Sequence, residues 1–213
     1  MGNPVSQMQS RSPAKRADAE RNRGKILAVA RAAFAGSEPH ISMAEISRRA
    51  GVGMATFYRN FASRRALLET LWTDEINAVC EAAETASGET PGAAFTAWLR
   101  QFFAFSTSKH HIAAELLADA ADAADTAGTA GTANGDRIDP VIGRNRARVR
   151  AAGQPLLAAA RRTHEVRHDL TLEQILDMIV AIATINGDQP YLEPIFQTAL
   201  DGLRPPAADA KPS

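Results

Sequence analysis

Residues 42–61, SMAEISRRAGVGMATFYRNF, decide the fold. Ser42 followed by Glu45 has the form of a capping box, in which hydroxyl and carboxylate satisfy orphan amides at a helix start reciprocally. Met43, Ile46 and Ala50 then give a short helix one apolar face. Gly51 stands where the chain must turn sharply, and glycine takes a left-handed backbone at the least cost. Val52 plugs the turn. The next helix sets Phe57 and Phe61 at i and i+4 toward the core, which leaves Met54, Ala55, Thr56, Tyr58 and Arg59 pointing outward. Two short helices around a glycine turn, the second with a polar outer face, form a helix-turn-helix of the kind that lays its second helix in a DNA major groove.

Working outward, residues 1–17 are rich in Ser, Pro, Gln and basic side chains with little to bury, and are expected to be a disordered basic arm. From about Asp18 to Ala35 the positions Ile26, Leu27, Ala30, Ala33 and Phe34 recur at helical spacing, so a first helix is expected, ended by Gly36. Residues 18–66 then form the DNA-binding domain and residues 67–204 a larger helical body, with a disordered tail at 205–213. Ser63 caps a long fourth helix with the stripe Leu67, Leu68, Leu71, Trp72, Ile76, Val79 and Ala83. Thr90 and Pro91 open a fifth helix carrying Phe95, Trp98, Leu99, Phe102 and Phe105. A sixth is expected from Ser108, with Ile112, Leu116 and Leu117, before the small-residue loop DAADTAGTAGTANGD. Asp139 and Pro140 restart helix, which Gly153 and Pro155 are expected to kink or break. Thr171 and Gln174 form a second capping box before Leu172, Ile175, Leu176, Ile179, Ile182 and Ile185, and a last helix from about Pro190 carries Leu192, Ile195, Phe196 and Leu200. The class is all-α, with about nine helices.

The formal net charge of zero conceals an asymmetry. Up to Arg65 there are twelve basic residues against four acidic ones, a net +8, so the remainder carries −8. A basic head on an acidic body suits a protein that meets phosphate at one end. No run approaches the roughly 18–20 apolar residues of a membrane span, and the polar start lacks a signal-peptide centre, so the cytoplasm is expected and no membrane partner. Cys80 is the single cysteine, which excludes an intrachain disulfide and a cysteine zinc site.

Phe34, Ile46, Ala50-Gly51-Val52, Thr56-Phe57-Tyr58, Phe61 and Ser63-Arg64 together resemble the signature of the TetR family of bacterial transcriptional regulators, over about Arg21 to Trp72. The body matches that family more weakly, as an all-helical ligand and dimer domain. The resemblance implies a homodimer that binds a double-stranded DNA operator and represses transcription until a small molecule enters the body and spreads the heads. It also implies phosphate contacts from Thr56 and Tyr58, and from Arg64, which stands where relatives commonly have lysine. Gly53-Met54 departs from the Ser-Lys found in many relatives and removes a polar and a charged contact.

The residues add their own assignments. Arg59 is the candidate base reader, because a guanidinium bonds a guanine edge at two points; a solvated or phosphate-bound arginine is the plain alternative. Met54 can meet a thymine methyl. Ser42 and Ser63 offer hydroxyls at helix starts, suited to phosphate, although capping alone explains both. Arg21 and Arg23 are candidates for backbone or minor-groove contact. In the body, Trp72, Trp98, Phe102, Phe105, Ile112 and Leu116 are candidates for a pocket taking a small apolar effector, against the plain reading of an aromatic core. Ile179, Ile182, Ile195 and Phe196 are candidates for a four-helix dimer interface.

His110, His111, His164 and His168 invite a metal reading, but the 164–168 segment is interrupted and no ligand set is completed, so no metal or cofactor is expected. Nothing forms a catalytic constellation, and no enzymatic activity is expected. A DNA-binding regulator without effector, and a helical-bundle enzyme or metalloprotein, remain the alternatives.

Overall fold

The computed structural model describes residues 13–35, 41–126 and 139–205. Every regular element among them is a helix: α1 (Pro13–Ala35), α2 (Met43–Arg49), α3 (Met54–Asn60), α4 (Arg64–Glu84), α5 (Pro91–Thr126), α6 (Pro140–Arg162), α7 (Leu172–Ala183) and α8 (Gln189–Asp201). The chain divides into two compact units, residues 1–67 and 68–213, the division falling inside α4.

In the first unit α1 packs on both α2 and α3. Ile26, Ala30 and Phe34 of α1 meet Ile46, Phe57, Phe61 and Leu67 in a fully buried core. Helix α1 begins at Pro13, so residues 13–17 of the expected disordered arm are helical; residues 1–12 and 36–40 lie outside the described residues. Gly51 has φ +64°, the left-handed conformation its position required. The turn is closed by a residue the sequence reading passed over: Ser47 is buried, its hydroxyl donates to Val52 O at 2.7 Å, and Val52 N donates to Ser47 O at 3.1 Å.

The Ser42 cap forms only in part. Its Oγ accepts from Glu45 N at 3.1 Å, but the Glu45 carboxylate does not return to Ser42. It is held by Arg48 and Arg49 instead, each at 2.7 Å, because charge-assisted bonds on the next turn compete successfully with one backbone amide. The box at Thr171 is complete: Thr171 N donates to Gln174 Oε1 at 2.7 Å and Gln174 N to Thr171 Oγ1 at 3.2 Å.

In the second unit α5 packs against α6 and α7, and α7 against α8. The helix expected to start at Ser108 is a continuation of α5, which runs 36 residues, about 54 Å. The Ser-Thr-Ser run that reads as a boundary satisfies itself inside the helix: Ser106, Thr107 and Ser108 donate back to the carbonyls of Phe102, Ala104 and Phe105. Helix α5 continues through the first residues of the expected loop to Thr126, and residues 127–138 lie outside the described residues. Helix α6 starts on Asp139, whose carboxylate accepts from Val141 N and Ile142 N at 2.8 and 3.3 Å. It then passes through Gly153 and Pro155 without a break. Gly153 serves as a notch for Trp98, and Trp98 Nε1 donates to Val79 O at 3.1 Å, so the indole fastens α4, α5 and α6.

Candidate nucleic-acid interface and cavity

Helix α3 hides one side chain and shows the rest. Phe57 is fully buried, and it orients the seven-residue helix so that Met54, Ala55, Tyr58 and Arg59 are exposed and Thr56 half-buried. Tyr58 is 51% exposed and stands edge-on to Phe57, with ring centroids 6.1 Å apart. Arg59 Nη2 donates to Thr56 Oγ1 at 2.7 Å, a local bond at an exposed site that leaves most of the guanidinium's five donors uncommitted. Gly53, the N-cap of α3, makes no side-chain cap.

The remaining candidates frame α3. Ser42 and Ser63 both accept a backbone amide on their own helices, the latter from Ala66 N at 3.1 Å, and this still leaves each hydroxyl a proton to donate. Arg23 donates to Asn60 O at 3.4 Å and lies 4.6 Å above the Phe61 ring, which ties α1 to the end of α3. Arg64 donates to Ile41 O and lies 5.4 Å from the Phe34 ring centroid. Both arginines therefore hold the head together as well as charging it. Arg21 pairs with Asp18 on α1. Sequence reasoning missed the cluster of Glu45, Arg48 and Arg49, which the i, i+3, i+4 spacing signals. The Glu45 carboxyl is held down to about 2, first by hydrogen bonds from Arg48 and then from Arg49.

The second unit contains a cavity of about 560 Å³. Trp72, Ile76, Phe102, Phe105, Val149 and Leu176 supply apolar wall, and Arg146, Arg150, Glu173 and Asp177 add charge. Three of the six expected pocket residues thus meet there. Trp98, Ile112 and Leu116 do not line it; they are fully buried in the core of the unit, Trp98 being taken up by Gly153 and Val79.

The expected interface residues also separate. Ile179, Ile182 and Phe196 are buried within the chain, Phe196 stacked on Phe103 with centroids 4.0 Å apart, so they are not available to a partner; Ile195 is half-buried. The apolar side chains that α7, α8 and their connection expose are Val180, Ile185 and Tyr191. Periodicity alone did not separate these positions, because helices apolar over most of their circumference do not declare which stripe meets their own chain.

His164 and His168 are exposed, with ring centroids 6.4 Å apart, and the side chains of His110 and His111 lie outside the described ones. Among the described residues no group of three or more metal-binding side chains is brought together, and no helix is long and apolar enough to cross a membrane. Cys80 is a free, half-buried thiol, and burial raises its pKa.

The family model for bacterial regulatory proteins of the tetR family matches residues 26–71, and that for the SbtR-like transcriptional regulator C-terminal domain matches residues 90–205. The chain belongs to the TetR family. It is thus a DNA-binding transcriptional regulator with an N-terminal helix-turn-helix. Among solved TetR structures, SCO0520 of Streptomyces coelicolor is 30% identical; the match covers 87% of this chain and 99% of that one, with a TM-score of 0.61. The TetR regulator of Mycobacterium vanbaalenii is 29% identical over 90% of this chain and 99% of that one, with a TM-score of 0.62. No curated protein matches significantly.

Proposed function

We propose that this TetR regulator is a homodimeric repressor that leaves its operator when a small, mainly apolar molecule fills the cavity. The observation that carries the reading is the 560 Å³ cavity walled by Trp72, Phe102 and Phe105, of the size and lining that small-molecule sites have. Met54, Thr56, Tyr58 and Arg59 on α3 meet the operator, Arg59 at a base edge and Tyr58 and Thr56 at phosphates. Ser42, Ser63, Arg23 and Arg64 fix the register through the backbone.

A dimer places two such helices on successive major grooves only at one spacing, and an effector that favours another spacing lowers affinity. It acts solely through differential affinity for the two states. The partner is received by the exposed apolar side chains Ile185 and Tyr191.

The test is a gel shift of the full chain on DNA upstream of its own gene, with wild type, Arg59→Ala and Tyr58→Phe, repeated with apolar compounds that stabilise the protein thermally. Weakened binding by both variants and release by a stabilising compound are expected. Unaltered binding by both variants refutes the residue assignments, and stabilisation without release refutes the repressor mechanism.

A further inference from the structure

Resting on the reading of the cavity as the effector site, the exposure of its wall sorts it into a floor and a mouth. Trp72, Ile76, Phe102 and Leu176 are apolar and buried. The four charged side chains of the wall are half exposed, 47% for Arg146 and Arg150 and 53% for Asp177 and Glu173, so they stand where the cavity meets solvent. A molecule that fills this space buries an apolar body and keeps one end at a charged, hydrated rim.

Helix α6 sets the sign of that rim. Half of the twelve basic residues that follow Arg65 lie on this helix, and it carries no acid. Arg144, Arg146, Arg148 and Arg150 fall within seven residues, whereas α7 carries Glu173 and Asp177. Arg148 bonds the amide oxygens of Asn77 and Asn145, at 2.6 and 3.3 Å, and Arg144 is exposed. Two carboxylates therefore do not offset the guanidiniums of this stretch, although the body as a whole is acidic. Nor do they occupy their partners fully: Arg146 bonds Asp177 through Nη2, and Arg150 meets Glu173 through Nη1 at 2.9 Å. Half-exposed pairs of this kind contribute little to stability. Each guanidinium keeps further N–H donors for a second acceptor, and a carboxylate can take two of them side by side.

We infer that the cavity takes an amphiphilic organic anion, an apolar or aromatic body with a single carboxylate at one end. The body lies on the floor of Trp72 and Phe102. The carboxylate stays at the rim, where Arg146 and Arg150, one helical turn apart, donate to it. The floor supplies affinity for the body, and the two arginines select the charged end over a neutral one of the same shape.

The experiment is calorimetry on the full chain with biphenyl-4-carboxylate, its uncharged counterpart biphenyl-4-carboxamide and the cationic 4-phenylbenzylamine. The carboxylate should bind roughly 3- to 10-fold more tightly than the amide, the contribution of charge-assisted bonds at a half-exposed site, and the amine should bind most weakly. Arg146→Gln with Arg150→Gln should bring the carboxylate down to the amide and leave the amide unchanged. Arg144→Gln, on the same helix but outside the cavity wall, should leave both within about 2-fold at physiological salt. Phe105→Ala, in the wall itself, should weaken carboxylate and amide alike. The comparison of end groups uses the wild-type chain, so it decides even where a variant fails to fold. Equal binding of carboxylate and amide, or tightest binding by the amine, overturns the inference while leaving the cavity a ligand site. A loss with Arg144→Gln equal to that of the double variant overturns the contact with Arg146 and Arg150. Absence of binding by all three, or affinities that Phe105→Ala leaves untouched, overturns both the inference and the cavity reading.

Discussion

Gly153 and Trp98 share one space: a β-carbon on Gly153 would stand 2.1 Å from Cη2 of the indole. The indole is itself fully buried and bonded through Nε1 to Val79 O, so it has no free direction in which to retreat. Gly153→Ala is therefore expected to destabilise the second unit by about 1–3 kcal/mol or more, against the gain that alanine normally brings to a helix interior. Urea denaturation followed by tryptophan fluorescence measures it, and stabilisation would show that α6 and α5 are packed differently.

Phe57 carries the head. Truncating this fully buried ring to alanine is expected to cost about 3–5 kcal/mol and to abolish operator binding by loss of structure. Arg59→Ala should leave folding intact and remove about 1–3 kcal/mol of discrimination at one base pair, seen as relaxed specificity in a binding-site selection. Tyr58→Phe should weaken binding alike on all sequences, as a lost phosphate contact does.

The Glu45 carboxyl titrates low, about 2 against an ordinary 4.5, because Arg48 and Arg49 bond its charged form. A carboxyl lowered on folding contributes stability above its unfolded pKa, and that contribution is lost as pH falls from about 4.5 through about 2. Carbon-detected NMR titration should find this midpoint, and Arg48→Gln together with Arg49→Gln should return it toward 4.5. An unchanged midpoint in the double variant would remove the arginines as the cause.

Tyr191, 58% exposed on α8, and Ile185, 39% exposed just after α7, test the proposed interface. Ile185→Asp with Tyr191→Asp should turn dimer into monomer in sedimentation velocity with little change in thermal stability of the monomer. Ile179→Ala, at a fully buried site, should lower stability by about 2–5 kcal/mol. Dimers that survive the double aspartate variant would place the interface elsewhere.

The sequence by itself determined the helical class, the helix-turn-helix at 42–61 and the inward Phe57 and Phe61. These rest on local physics: a turn that needs a positive φ at Gly51, helix starts capped by Ser42, Asp139 and Thr171, and apolar spacing that an isolated helix must obey. Where two local solutions compete, spacing alone does not choose. Glu45 could serve Ser42 or the arginines, and Ser106 to Ser108 could end a helix or bond back into it. Only the tertiary structure decided which aromatic residues wall the cavity and which fill the core, because Trp72 and Trp98 carry the same side chain on similar stripes. What separates them is a partner distant in sequence: the Gly153 notch and the Val79 carbonyl receive Trp98, while Trp72 is left in the cavity wall with its donor unmatched.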